Sequence, residues 1–345
     1  MKPLKLALIG FGSAGRAFAK MLLAKQNELS AVYGRAVIVT AIVTATRGTL
    51  IDAHGIDLEK ACREAEEKGH FDERADGFCK KGALQVITED DYDVMCELTP
   101  LNIKTGQPAT DHILAAIHRH KHVISANKGP VAWHYDEISK AAADAGVMFF
   151  YETTVMDGTP VFNLVEQTLK FCRITEIKGI LNSTTNYILE EMEKGTDYDD
   201  IIADGRRRGF IEADMSMDIN GYDAAAKLIV LMNVFMKAGL TPDDVRRTGI
   251  ESVSADKVRD CAANQKKIKL ICHGRATKDG FEATVSPQEI ALTDMYASVD
   301  STTSVVTLTT DLMGTLSIVE HQPEIEQTAY GIFGDMLRIL DGLSK

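Results

Sequence analysis

Long apolar runs are missing from this 345-residue chain: no stretch approaches the roughly 20 consecutive apolar residues that a bilayer-crossing helix needs. The apolar start at Leu4 is interrupted by Lys5 and reads as a strand, so no signal peptide is expected. Excess positive charge is missing too, and a formal net charge of −12 argues against a nucleic-acid backbone as partner. The six cysteines (Cys62, Cys79, Cys96, Cys172, Cys261, Cys272) show no CxxC spacing. That excludes a zinc site or disulfide framework of the usual kind and points to buried or free thiols in a reducing cytoplasm. Internal repeats and low-complexity linkers are absent. With 45% apolar and 26% charged residues the composition is globular, and the length allows two domains, each with its own core.

What is present begins at once. Leu6 to Ile9 form an apolar strand that runs into Gly10, Phe11, Gly12, Ser13, Ala14 and Gly15, spaced as GxGxxG, and then into a helix with Phe18, Met21 and Leu22 on one face. Gly10 permits a tight turn, Gly12 lets the backbone approach a pyrophosphate, and Gly15 lets the helix pack closely on the sheet. The first-turn N–H groups and the helix dipole then attract the anion. Strand, loop and helix together predict a Rossmann unit.

Downstream, strands are expected over 36–45 and 91–100, a helix and a short strand (122–125) after that, a loop at SANKGP, a helix over 135–145 and the strand VMFFYETTV. The stretch 52–81 is charged and helix-compatible, an excursion over the surface. From about Asp157 apolar helices (161–169, 186–193, 223–236) mix with strand-like runs such as KIKLICHGRAT and SVVTLTTDL. The fold class that follows is α/β: a Rossmann dinucleotide-binding domain over 1–155, and a second α+β domain over 156–325 with an open, mostly antiparallel sheet. The C-terminal helix, 326–345, is free to pack back on the first domain.

Five segments carry candidate chemistry. The end of the second strand has no carboxylate for a ribose 2′-hydroxyl; it reads Thr44, Ala45, Thr46, Arg47, and a guanidinium suits a 2′-phosphate, which favours NADP(H) over NAD(H) unless Arg47 is simply a solvated loop residue. Asn127 and Lys128 follow a strand directly, where open α/β sheets bind ligands, although a lone surface lysine looks the same. The strand and Gly/Pro turn of YETTVMDGTP can offer carbonyls and Glu152 to a monovalent cation, or serve as a hinge. Asn182, Ser183, Thr184 and Thr185 can hold a carboxylate or merely cap a helix. The densest segment is EADMSMDINGYDAAAKLIVLM, in which Glu212, Asp214, Asp218 and Asp223 lead into a helix with Lys227 four residues after Asp223. Apolar neighbours on that helix suggest a partly desolvated lysine suited to proton exchange; the alternative is a plain i,i+4 ion pair on a solvated face.

With GFGSAG, SANKGP, ETTVMDGTP, GILNSTTNYIL, EADMSMDINGYDAAAKL and QTAYGIFGDML in this order, the chain resembles the homoserine dehydrogenases over nearly its whole length. The resemblance implies NAD(P)-dependent interconversion of L-homoserine and L-aspartate 4-semialdehyde, in threonine, methionine and isoleucine biosynthesis, by a cytoplasmic homodimer with a small-molecule substrate. It implies that Lys128 and Lys227 assist proton transfer, that Glu212 meets the substrate amino group, and that Asp218 and Asp223 support the site. Thr184 and Thr185 would lie in the substrate-facing turn. Thr99, Asn127 and Lys128 would join the glycine loop and Thr44 and Arg47 around the cofactor. A monovalent cation such as Na+ would sit on Glu152, Val155, Asp157 and Thr159. Two segments depart from the family pattern: Met156 and Asp157 stand where a glycine-rich turn is usual, and IVEHQPEIEQTAYG replaces a GxGAG-like turn near the C-terminus. No regulatory ACT domain is expected. Two other functions remain open at this point: an oxidoreductase for another small amino-acid alcohol or aldehyde, and a non-catalytic NADP(H)-binding sensor.

Overall fold

The computed structural model describes residues 2–209, 211 and 214–344. The chain folds as two units, Met1–Pro160 with Glu324–Lys345, and Val161–Pro323.

The first unit contains β1 (Leu4–Ile9), α1 (Ser13–Tyr33), β2 (Val37–Val43), β3 (Thr49–Ile51), α2 (Leu58–Glu67), β4 (Phe78–Cys79), α3 (Ala83–Glu89), β5 (Val94–Glu97), α4 (Ala109–His118), β6 (His122–Ser125), α5 (Lys128–Ala145) and β7 (Phe149–Phe150). Its sheet has the order β4-β3-β2-β1-β5-β6-β7. The five strands from β2 to β7 through β1 are parallel; β3 and β4 are antiparallel. β1 shows why the sheet is buried on both faces. Leu4, Leu6 and Leu8 join one core with Phe18 and Leu58, while Ala7 and Ile9 join another with Val86, Ile113 and Ile138. Successive side chains point to opposite faces, so a strand covered on both sides reads as a continuous apolar run.

The second unit contains α6 (Val161–Thr168), β8 (Ile174–Ile180), α7 (Ser183–Glu193), α8 (Tyr198–Arg207), α9 (Ser216–Ile219), α10 (Tyr222–Met236), β9 (Arg246–Arg247), α11 (Ala255–Ala263), β10 (Lys266–Thr277), β11 (Gly280–Ala291), β12 (Ser304–Thr310) and β13 (Thr315–Glu320). Its sheet runs β13-β12-β8-β10-β11-β9, antiparallel throughout except for the short β9 against β11. The final helix, α12 (Ile325–Leu343), belongs to the first unit, where Ile332, Met336 and Ile339 enter the core shared by β1 and α1. No helix among the described residues is long and apolar enough to cross a membrane.

Several local expectations are corrected. The 52–81 stretch supplies α2 and the strand β4, which pairs with β3, and so extends the sheet instead of wandering over its surface. SANKGP is not a loop but the start of α5: Asn127 caps it by accepting from the Gly129 N–H at 3.0 Å, and Pro130 sits in the first turn, where no intrahelical N–H bond is lost. VMFFYETTV keeps only two strand residues. Glu152–Thr154 tighten into a 3₁₀ turn, with the Thr154 hydroxyl donating to the Tyr151 carbonyl at 2.7 Å.

All six cysteines are free, and only Cys79 and Cys172 are not buried. Burial pushes the Cys272 thiol up to about 12 and the Cys96 thiol higher still. Brief alkylation of the native protein is therefore expected to label Cys79 and Cys172 and to spare the other four, which peptide mass spectrometry checks.

Candidate active site

The three glycines of the first loop do three different things. Gly10 has φ +105°, and a Cβ there would lie 2.4 Å from the Leu98 carbonyl oxygen, so the turn from β1 into α1 can pass the end of β5 only with glycine there. Gly15 packs against the Gly10 carbonyl and the Leu98 side chain. A Cβ on Gly12 would meet nothing within 4 Å, which leaves open space beside the first turn of α1. That turn has no capping side chain and no acidic residue. Its N–H groups therefore have no side-chain cap at the positive end of the helix dipole. The loop also sits where strand order reverses, with β2 on one side of β1 and β5 on the other, which is the ligand crevice of open α/β sheets.

Beside it, β2 ends in a tight turn: Thr44 Oγ1 donates to the Gly48 carbonyl at 2.8 Å and accepts from the Arg47 N–H at 2.8 Å. The Thr44 hydroxyl proton is thus committed to the turn. Arg47 carries a buried Nε with no hydrogen-bond partner among the described residues. Across α1, Arg16 donates to the Phe11 carbonyl of the glycine loop and pairs with Glu66, which also binds Lys20 at 2.7 Å. The Lys20 ammonium, with Arg16 adding to it, holds the Glu66 carboxyl below the usual range. Neither Arg16 nor Glu66 stood out in the sequence, because the contact joins α1 to a stretch that looked like a surface excursion.

At the neighbouring strand ends, Asn127 Nδ2 donates to the Thr99 carbonyl at 3.1 Å, and Lys128 follows as the first residue of α5. Thr99 in turn donates its N–H, at 2.9 Å, and its hydroxyl to Glu97 Oε1.

Still in the first unit, the segment of the anticipated cation site is buried at Glu152 and Val155. The Glu152 N–H donates to the fully buried Asp335 at 2.8 Å. Met156 and Asp157 both adopt left-handed backbone, and Thr159 closes the turn by donating its N–H to the Met156 carbonyl. The Thr328 hydroxyl of α12 donates to Asp157 Oδ1 at 2.9 Å, and Gly158 and Gly331 leave no room for a Cβ between the segments. The Met156–Asp157 turn and the segment around Thr328, which stood as two separate features of the sequence, therefore pack against each other.

In the second unit, α10 and the start of α7 build a separate cluster. Lys227 Nζ lies 3.1 Å from Asp223 Oδ2 and donates to the Leu181 carbonyl at 2.9 Å; its side chain is 20% exposed. Asn182, the N-cap of α7, accepts from the Thr185 N–H and hydroxyl, both at 2.8 Å, and donates from Nδ2 to Asp218 at 2.6 Å and Asp223 at 2.9 Å. Thr184 and Thr185 are buried. The expected apolar surroundings describe the helix of Lys227 and not its tip, which is held as a donor between two oxygen acceptors. The i,i+4 pair forms, but on a mostly buried face. Glu212 lies outside the described residues.

The first unit thus offers an uncapped helix end at a glycine loop, and the second a lysine held in a carboxylate cluster. Comparison with known proteins is specific. The family model for homoserine dehydrogenase matches residues 160–337. The homoserine dehydrogenase of Methanocaldococcus jannaschii is 35% identical over 99% of both chains, and the NAD(+)-dependent homoserine dehydrogenase of Pseudomonas canavaninivorans is 32% identical over 98% of this chain and 97% of that one. The crystal structure of a putative homoserine dehydrogenase from Archaeoglobus fulgidus superimposes with a TM-score of 0.86 at 29% identity, covering 98% of this chain and 99% of the other. The chain belongs to the homoserine dehydrogenase family, NAD(P)-dependent oxidoreductases.

Proposed function

We propose that the chain interconverts L-homoserine and L-aspartate 4-semialdehyde, with NADP(H) as preferred cofactor and Lys227 as the proton-exchanging group. The observation that carries the chemistry is the Lys227–Asp223–Asn182–Asp218 cluster, in which one cationic side chain is held by a carboxylate and a carbonyl, and the carboxylate in turn by the cap of α7. What supports a dinucleotide at the glycine loop is the uncapped start of α1 and the open space at Gly12. Gly10, Phe11, Gly12, Ser13, Ala14 and Gly15 would hold the pyrophosphate, and Thr99, Asn127 and Lys128 the far end of the cofactor.

When bound, the nicotinamide supplies the hydride for reduction and takes it back in oxidation. In reduction, Lys227 gives a proton from Nζ to the substrate carbonyl oxygen as that oxygen gains negative charge, and in oxidation it removes the proton from the hydroxyl. Lys128 shares in that transfer. Asp223 and Asn182 keep the lysine in one orientation, Asp218 steadies Asn182, and Thr184 and Thr185 form the turn next to the substrate. Glu212 meets the substrate ammonium. Glu152 and the carbonyls of Val155, Asp157 and Thr159 would hold a monovalent cation such as Na+; a response of turnover to added Na+ checks this.

The preference for NADP(H) rests on Arg47, whose buried, unpartnered Nε fits a 2′-phosphate acceptor. Replacing Arg47 with Gln is expected to lower kcat/KM for NADPH by about ten- to a hundredfold, the value of one or two charge-assisted bonds, while leaving NADH nearly unchanged. Equal losses with both cofactors would place the 2′-phosphate elsewhere. Asp223→Asn is expected to reduce kcat about tenfold with little change in KM, because it removes the charge that orients Lys227 and not a substrate contact; steady-state kinetics with aspartate 4-semialdehyde read this directly.

We further infer a cytoplasmic homodimer. The family resemblance supports it, as do the six free thiols and the edge strand β13, where Thr315, Ser317 and Val319 remain exposed. Light scattering coupled to size exclusion measures the mass that decides it.

A further inference from the structure

The proton transfer proposed above leaves one fully buried ionisable pair unused. Glu97, at the end of β5, is 0% exposed and faces His112 of α4, 5% exposed, with Oε2 2.8 Å from Nδ1. Its other oxygen accepts both the N–H and the hydroxyl of Thr99. The Thr99 carbonyl then receives Asn127 Nδ2, and Asn127 caps α5 at Lys128 and Gly129. From the other side, Glu97 pairs in register with Ser125 of β6, whose hydroxyl accepts the Asn127 N–H at 3.1 Å and donates to the Asn127 carbonyl at 3.0 Å. One continuous set of hydrogen bonds therefore runs from α4 through two loop residues to the first turn of α5.

We propose that Glu97 and His112 are positioning residues, which fix the Thr99 and Asn127–Lys128 turns at the cofactor crevice. Stability is a poor reason to bury such a pair: desolvation offsets most of the attraction, and apolar replacement of both partners is often neutral or stabilising. What an apolar pair cannot do is point at Thr99. With Oε1 holding both Thr99 donors and Oε2 held by the imidazole, the carboxyl group has no freedom to rotate, and Thr99 has one place to present its carbonyl to Asn127. A loop that could slide by an ångström would displace Lys128 and the far end of the cofactor together, and misplacement on that scale costs on the order of a hundredfold in rate.

This inference rests on the functional reading above, and wild-type protein tests that reading first: if it neither binds NADPH nor turns over, the functional reading fails before the pair is in question. Given an active wild type, the double variant Glu97→Met with His112→Leu, and the single variants His112→Leu and His112→Asn, are compared by thermal melting, fluorescence titration with NADPH, and kcat. Asn places an amide nitrogen where imidazole Nδ1 stood. The expected result is a double variant that melts near wild type, binds NADPH several-fold more weakly and has a kcat about ten- to a hundredfold lower. His112→Asn should stay close to wild type in all three, and His112→Leu should not. Retained kcat and NADPH affinity in a folded double variant overturns the proposal. If the double variant does not fold, equal kcat in His112→Asn and His112→Leu overturns it, and so does failure of both leucine-containing variants to fold, which would make the pair structural.

Discussion

Lys227→Ala is expected to lower kcat for aspartate 4-semialdehyde reduction by about a thousandfold while changing NADPH affinity little, the range for removing a positioned general acid. The geometry sets that expectation. Lys227 is held at both an anionic and a carbonyl acceptor, so its ammonium is fixed in one orientation. Its partners come from different places in the chain: the Leu181 carbonyl from just before the cap of α7, and Asp223, itself held by Asn182, from one turn earlier on α10. Lys227→Met keeps the length and apolar stem and separates the loss of the proton donor from a loss of packing. Both variants should lose kcat alike. Turnover within about threefold of wild type in either would remove Lys227 from the chemistry.

The second large effect separates two glycines that are two residues apart. Gly10→Ala is expected to destabilise the protein by about 3 kcal/mol or more, because the new Cβ meets a backbone carbonyl at 2.4 Å on a left-handed backbone that disfavours any side chain. Gly12→Val puts its side chain into empty space, so the melting temperature should stay nearly constant. The same branched side chain, however, occupies the approach to the α1 N-terminus, and NADPH affinity should fall on the order of a hundredfold. Thermal melting and fluorescence titration on the two variants should give opposite patterns: a fold defect for Gly10→Ala, a binding defect for Gly12→Val. A Gly12→Val protein that binds NADPH like wild type contradicts the assignment of the loop.

These two sites were legible in the sequence because each is written in local spacing. GxGxxG between a strand and a helix is a contiguous signal, and Asp223 and Lys227 lie one helical turn apart. The rest depends on partners far along the chain. Asn182 reads as a cap, but that it also bridges Asp218 and Asp223 follows only from how α7 and α10 approach. YETTV has strand composition, yet β7 stops at Phe150 and the Glu152 N–H goes to Asp335, 183 positions later. Met156 and Asp157 read as added bulk and charge; that Asp157 meets Thr328, 171 positions later, follows only from how α12 packs. Glu97 drew no attention as one carboxylate at the end of an apolar run, and His112 none as one histidine on a helix. Only their apposition gives either a role.

Hydride transfer between homoserine and a nicotinamide dinucleotide is the activity proposed for this chain. The most direct measurement follows formation of reduced nicotinamide by the purified chain with L-homoserine, with NADP+ and with NAD+ in parallel. The expected result is turnover with homoserine and a higher kcat/KM for NADP+. Binding of the dinucleotide without turnover of homoserine, in either cofactor and with aspartate 4-semialdehyde equally inert in the reverse direction, would contradict it.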